Sequence, residues 1–189
     1  YIAEGEYQPV SDGNGNDPDD ATEKKFGTGK LVNLYGGFPR TATGTEKNSD
    51  PKKYVTLFSG DLEHDNPLTY SEENQYADFR KNDTRFLLLI STGTAGDIEI
   101  KGITFSYTYQ PPKQGSVMIY ILNYGEGEVN CKLSECVISQ GSYGLEIENC
   151  QTEISDCYFN DIDASALNIN GKSSLTMTRS TFDDGSLGT

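Results

Sequence analysis

The chain has 189 residues, and its 29 acidic and 15 basic side chains give a formal net charge of −14. This length supports one domain with a core, and the hydrophobic content of 34% suits a repeat protein with a thin core better than a compact sandwich. The acidic balance argues against binding to nucleic acid or bare anionic lipid, both of which attract basic surfaces. No apolar run approaches the roughly 20 residues that a membrane-spanning helix needs.

The first half of the chain, residues 1–97, alternates short strand-like segments with long polar loops. The apolar run at 85–91 is typical of a parallel strand that is buried on both sides. The loop at 62–84 contains a mixed-charge run that could hold a short helix. The other predicted strands are at 1–7, 31–35 and 54–59, and the other polar loops are at 8–25 and 39–53.

A short motif recurs through residues 98–189, which we predict to be regular rungs. Its copies begin at positions 100, 133, 154 and 177, so the spacings are 33, 21 and 23 residues. A period of this length, in a segment rich in β-branched residues, predicts a solenoid of parallel strands in which each rung buries its apolar side against the next. The copies are I-K-G-I-T-F, L-S-E-C-V-I, I-S-D-C-Y-F and M-T-R-S-T-F.

Stacking the copies produces columns of equivalent residues. Further strands at 117–122, 144–147 and 166–169 indicate at least two strands in each rung. Asn149 and Asn170 follow two of them, where we expect left-handed turns. The predicted inward columns are Ile100, Leu133, Ile154 and Met177, and Phe105, Ile138, Phe159 and Phe182.

The four cysteines lack a zinc-binding spacing. Cys136 and Cys157 occupy one column in successive rungs, about 4.8 Å apart if the strands stack in register. That distance permits a disulfide. We expect instead free, inward-facing thiols that fill the core.

Four segments of the chain resemble the opening of secreted right-handed parallel β-helix proteins. They are Y-I-A-E-G-E-Y-Q-P at 1–9, L-Y-G-G-F-P-R-T-A-T-G-T-E at 34–46, D-P-K-K-Y-V-T-L-F-S-G-D at 50–61 and I-E-I-K-G-I-T-F at 98–105. These proteins belong to the pectate-lyase-like superfamily and are of Bacteroidetes type; β-helical adhesins and polymorphic outer-membrane proteins share the architecture. The resemblance implies export, surface display or release, and a role related to carbohydrate.

The candidate catalytic residues are Glu135, Asp156 and Arg179. Glu135 and Asp156 occupy equivalent turn positions, so their carboxylates could lie about 5 Å apart, as in a retaining glycosidase. The same column continues to Arg179. Alternating charges along an outward ladder also serve to avoid repulsion between stacked rungs, and we favour that interpretation.

An oxygen-rich loop near the N-terminus is a candidate calcium site. Calcium takes six to eight oxygen ligands, and D-x-N-x-N places alternating side chains around one centre. An EF-hand has Gly at the sixth position, where this chain has Asp17. The alternative is an acidic loop without metal. The candidate ligands are Asp12, Asn14, Asn16, Asp17 and Glu23.

Tyrosines concentrate near the insertion between the first two repeat copies. Aromatic faces can stack on sugar rings, although tyrosine is also a common cover for sheet edges. The predicted ligand-binding residues are Tyr107, Tyr109, Tyr120 and Tyr124.

The chain is therefore predicted to be all-β, a right-handed, single-stranded parallel β-helix with rungs of about 21–23 residues and long polar loops in its N-terminal half. Residues 1–189 form one domain, expected to be part of a longer protein. The predicted function is that of a secreted or cell-surface, outer-membrane-associated, non-catalytic module that binds a polysaccharide, a cell-surface glycan or another surface partner. No cofactor is required, and calcium is the one candidate. The alternatives are a polysaccharide lyase or glycoside hydrolase whose catalytic face lies in later rungs, and a structural stalk.

Overall fold

The computed structural model describes residues 1–43, 49–64, 83–108 and 116–183. A 3₁₀ turn spans Ala21–Glu23, and nothing helical in the described part of the chain has the length and hydrophobicity needed to cross a membrane. The strands in chain order are β1 Gly5–Tyr7, β2 Phe26–Thr28, β3 Asn33–Tyr35, β4 Thr56–Ser59, β5 Phe86–Thr92, β6 Gly96–Lys101, β7 Thr104–Ser106, β8 Val117–Asn123, β9 Val129–Ser134, β10 Val137–Glu148, β11 Gln151–Ser155, β12 Tyr158–Asn170, β13 Ser174–Thr178 and β14 Thr181–Asp183.

These strands form three parallel faces around one core. Face A consists of β3, β6, β9, β11 and β13. Face B consists of β1, β4, β7, the first part of β10 and of β12, and β14. Face C consists of β2, β5, β8 and the second part of β10 and of β12. Each complete rung therefore has three strands, which confirms the predicted parallel β-helix.

The register of the strands confirms both predicted columns. On face A, Ile100 pairs with Leu133, and Ile154 pairs with Leu133 and Met177. Because side chains alternate along a strand, the neighbours of these residues on each strand, such as Lys132 next to Leu133, face outward. The second column on face B is Phe58, Phe105, Ile138, Phe159 and Phe182.

The core is a stack of such columns. Among the side chains with exposures of 0% are Ile100, Phe105, Ile138 and Phe159. Apolar columns on face C complete the interior; one is Leu88, Ile119, Leu145 and Leu167, and the next is Ile90, Ile121, Ile147 and Ile169.

The corners between faces use left-handed backbone. At the corner between faces A and B, Gly102, Glu135, Asp156 and Arg179 have φ values of 66°, 55°, 55° and 48°. The recurring six-residue motif spans this corner and contributes to two strands. A positive φ strains non-glycine residues, and the stacked rungs hold these residues there.

Two local predictions need correction. Asn149 is left-handed with φ 57°, but Asn170 ends β12, and the left-handed residue is Gly171 at φ 66°. The strand at 85–91 exists as β5, but Phe86 and Leu89 are only half-buried, so its outer side is not fully covered.

In the N-terminal half, the strand predicted at 1–7 is shorter than expected. Ala3 forms an isolated bridge to Phe38, and β1 begins at Gly5. The helix considered within 62–84 falls mostly on 65–82, outside the described residues. All four cysteines are free and buried, which includes the pair Cys136 and Cys157 for which free core thiols were expected.

Candidate functional site

The outward side chains of face A line a shallow groove of about 570 Å³. Asn130 pairs with Asp97 and Gln151 across the strands, and Lys132 pairs with Glu99 and Glu153. The groove crosses four strands, or about 14 Å at the usual strand spacing. Its outward polar lining consists of Asp97, Glu99, Asn130, Lys132, Gln151, Glu153, Ser174 and Thr176.

Several groove side chains are held by polar contacts. Asn130 Nδ2 donates to Asp97 Oδ1 at 2.9 Å, and Lys132 Nζ lies 3.8 Å from Glu153 Oε2. Further along the face, the Tyr35 hydroxyl donates to Glu99, and this hydrogen bond is the main cause that raises the pKa of Tyr35 to about 12. The groove is thus a fixed array of amide, carboxylate and ammonium groups.

A pocket of about 540 Å³ lies at the corner between faces C and A. Gln151 lines both this pocket and the groove, so the two are neighbours at this residue. Tyr124 lies in the pocket with 68% of its surface exposed. The other lining residues are Asn123, Gly125, Glu126, Gly127, Glu128, Asn149 and Lys172.

Two glycines allow Tyr124 to sit where it does. The Tyr124 amide donates to the Thr92 carbonyl at 3.0 Å, which continues the ladder of face C. A Cβ on Gly93 would lie 2.5 Å from Tyr124 Cε2, and one on Gly125 would lie 2.3 Å from the Gly93 carbonyl oxygen. A side chain at Gly125 would collide with backbone, whereas one at Gly93 would displace the Tyr124 ring, so glycine at both positions lets the corner stack with the ring against it.

The structure separates the tyrosines that the sequence grouped together. Tyr107 is half-buried with φ 60° at the corner between faces B and C. Tyr120 lies on face C, where its hydroxyl donates to Glu148 Oε2 at 3.0 Å, and burial is the main cause that raises its pKa to about 12. Tyr109 lies outside the described residues. Of the three tyrosines that the structure describes, Tyr124 lines the corner pocket and Tyr107 and Tyr120 do not.

The three catalytic candidates lie along the corner between faces A and B. Arg179 contacts Asp156 through two hydrogen bonds, of 2.7 Å from Nε and 2.6 Å from Nη2. That contact lowers the pKa of Asp156. Glu135 Oε1 lies 3.1 Å from Lys101 Nζ. Both carboxylates therefore have cationic partners.

Glu135 and Asp156 also border a second cleft, of about 520 Å³. Thr104, Val137 and Tyr158 contribute outward side chains from face B, and Pro51 from the loop before β4 also lines the cleft. This cleft lies across the corner from the groove of face A.

The predicted calcium loop is closed by its own hydrogen bonds. Asp12 Oδ1 accepts from the Asn14 amide at 2.8 Å, and Asp12 Oδ2 accepts from Asn16 Nδ2 at 2.9 Å. The Asn16 side chain is the main cause that lowers the pKa of Asp12 to about 2. Asp17 pairs with Lys24 at 3.0 Å, and Glu23 ends the 3₁₀ turn. Calcium binding by this loop stays a prediction.

Several residues of the groove and the corner pocket are not predictable from sequence motifs. Asn130 and Gln151 in the groove and Lys172 in the pocket come from different rungs, so their proximity depends on the strand register. The alternation of polar and apolar residues along each strand predicts that such side chains face outward. The same alternation occurs on any solvated face, so it does not indicate a binding site.

Comparison with known proteins supports the fold. The family model described as "Right handed beta helix region" matches residues 88–188. Searches of curated proteins and of solved structures gave no match. The matched segment contains β6 to β14 and most of β5, together with the groove and the corner pocket. The chain therefore belongs to the right-handed β-helix family.

Proposed function

We propose that this protein is a non-catalytic β-helix module that binds carbohydrate in the groove of face A and the corner pocket. The observation that carries the proposal is the exposed ring of Tyr124 in a corner pocket that adjoins the polar groove of face A. Sugars offer apolar C–H faces and a ring of hydroxyl groups. An aromatic face next to fixed amides and carboxylates complements both.

The groups in the groove suit the hydroxyl groups of a sugar chain. Asn130 and Gln151 offer amide donors and acceptors, Glu153 accepts, and Ser174 does both. Rungs repeat along the groove, so an extended chain can contact equivalent positions in succession.

Charge selects among glycans. Asp97, Glu99 and Glu153 outnumber Lys132 in the groove, and the chain carries −14 overall. Like charges repel, so we expect neutral glycans to bind better than uronic acid polymers or sulfated ones.

Binding without turnover is favoured by the state of the carboxylates at the corner between faces A and B. A glycosidase needs one protonated carboxyl group near neutral pH. Arg179 lowers the pKa of Asp156, which keeps that carboxylate ionised, and Glu135 is paired with Lys101. The proposal includes secretion or display at the cell surface, where such glycans are met.

A second candidate function is polysaccharide cleavage at the cleft of about 520 Å³ that Glu135 and Asp156 border. Two carboxylates beside a cleft are the minimum for glycoside hydrolysis. This candidate requires the ion pairs with Lys101 and Arg179 to open.

A glycan array followed by a turnover assay tests the proposal. We expect saturable binding to neutral glycans, with no new reducing ends and no unsaturated products after long incubation. Product formation would establish the second candidate. Absence of binding to every glycan on the array would contradict the proposed function.

A further inference from the structure

Cys136 and Cys157 stack directly across adjacent rungs. Their neighbours are in register, with Val137 opposite Tyr158 and Ser134 opposite Ser155, and the Cys136 carbonyl accepts from the Tyr158 amide at 2.9 Å. Adjacent parallel strands lie about 4.8 Å apart. That separation falls within the Cα distance range of disulfides, about 4.4–6.8 Å.

The two thiols meet inside the core. Their exposures are 1% and 2%, and each thiol donates to a serine carbonyl two residues before it, Cys136 to Ser134 at 3.3 Å and Cys157 to Ser155 at 3.4 Å. The neighbouring Cys157 and burial raise the pKa of Cys136, whereas the neighbouring Cys136 lowers the pKa of Cys157.

The other two cysteines do not share this geometry. The pairing of Gln151 with Asn130 places Cys150 opposite Val129, two residues before Cys131. The offset along the strand is about 6.6 Å, so their Cα atoms are about 8 Å apart. That distance exceeds the range for a disulfide without backbone movement.

We propose that Cys136 and Cys157 are an oxidation site that forms a disulfide staple between adjacent rungs when the protein meets a low-molecular-weight disulfide. One thiolate of the pair attacks a sulfur of the oxidant and releases one thiol. The other then attacks the mixed disulfide, forms the protein S–S bond and releases the second thiol. Two protons and two electrons pass from the cysteine pair to the oxidant, which becomes two thiols.

The fold determines how an oxidant reaches the two cysteines and how the disulfide affects stability. Cys136 borders the cleft that Pro51 and Tyr158 also line, but its thiol faces the core with the residue only 1% exposed, so a small oxidant reaches the pair when this rung opens locally. The cross-link closes a loop that joins two rungs, and this restricts the unfolded chain. We expect it to raise the Tm by about 5–10 °C.

Oxidation of the full chain under defined conditions tests the proposal. The folded protein is equilibrated at several ratios of oxidised to reduced glutathione, quenched, unfolded, alkylated with N-ethylmaleimide and mapped without reduction. We expect one linked peptide that contains Cys136 and Cys157, with Cys131 and Cys150 alkylated. Alkylation of all four cysteines at every ratio, or a link that involves Cys131 or Cys150, would overturn it.

Two serine variants sharpen the result. Cys157→Ser is well matched, because Ser180 occupies the next position of the same column and donates to the Thr178 carbonyl at 3.1 Å, as Cys157 Sγ does to Ser155 at 3.4 Å. It should remove both the link and the Tm difference between oxidised and reduced protein, whereas Cys150→Ser should keep both. The reverse pattern would refute the proposal. If the first variant does not fold, the wild-type peptide map decides alone.

Discussion

Asn123 and Asn149 lie one rung apart at the corner that carries Tyr124, and each side-chain amide donates to the backbone carbonyl of the other. The distances are 3.2 Å from Asn123 and 3.1 Å from Asn149. Asn149 Oδ1 also accepts from the Lys172 amide at 3.0 Å. One asparagine thus satisfies backbone groups of the rungs before and after it, and the pair fixes the corner beside the proposed glycan site.

Asn149→Ala should destabilise the fold by about 2–3 kcal/mol, because it removes two hydrogen bonds and places alanine at positive φ. Asn149→Gly separates the two causes. It loses the same hydrogen bonds but accepts the φ of 57°, so its loss should be smaller. Urea unfolding followed by circular dichroism measures both. Equal stability of wild type and the alanine variant would show that the asparagine pair does not hold this corner.

Phe159 and Phe182 test the core stack. Their rings stack with centroids 4.7 Å apart, but Phe159 is fully buried, whereas Phe182 is half-buried. Phe159→Ala should cost about 3–5 kcal/mol through the cavity it leaves, and Phe182→Ala should cost clearly less. The same urea titration compares them. A larger loss for Phe182→Ala would contradict the assigned interior column.

Glu146 provides a pH test on face C. Burial and then the nearby Glu148 raise its pKa above the ordinary 4.5, against a hydrogen bond from Asn170. A pKa raised by folding favours the folded state below the ordinary value, and that contribution is lost as pH rises through the folded pKa. Ionised Glu146 therefore opposes folding at neutral pH.

Glu146→Gln should raise the Tm at about pH 8 and have little effect at about pH 4, where the carboxyl group is mostly protonated. Glu126→Gln, on the exposed corner, is the control and should change neither value much. Differential scanning calorimetry at both pH values measures the effect. An equal gain for Glu146→Gln at both pH values would mean that ionisation is not its cause.

The buried columns of this fold were predictable, because the spacing of Ile100, Leu133 and Ile154 follows from burial between rungs. The backbone conformation at the corners was harder to predict. Gly102 permits left-handed backbone, but Arg179 has no preference for it and adopts it because the stacked neighbours require it. At Asn170 the preference for turns suggested the wrong residue, since Gly171 next to it has the greater conformational freedom.

The candidate site was likewise predictable only in part. Tyr124 is predictable because it belongs to a cluster of tyrosines near the insertion, and aromatic side chains can stack on sugar rings. Gln151 and Lys172 lie in ordinary polar segments, and only the register between rungs brings them to the same pocket. Sequence patterns specify which way a side chain faces, but proximity across rungs depends on loop lengths that vary from one rung to the next.

The central claim is glycan binding at Tyr124, and calorimetric titration of the best glycan from the array tests it most directly. Tyr124→Ala should weaken the affinity about tenfold, the loss expected for one aromatic stacking contact. Tyr158→Ala, on face B, should bind like wild type, and circular dichroism should show that both variants keep the β-helix. Unchanged affinity in Tyr124→Ala, or a loss confined to Tyr158→Ala, would contradict the account and move the site to the cleft beside Glu135 and Asp156.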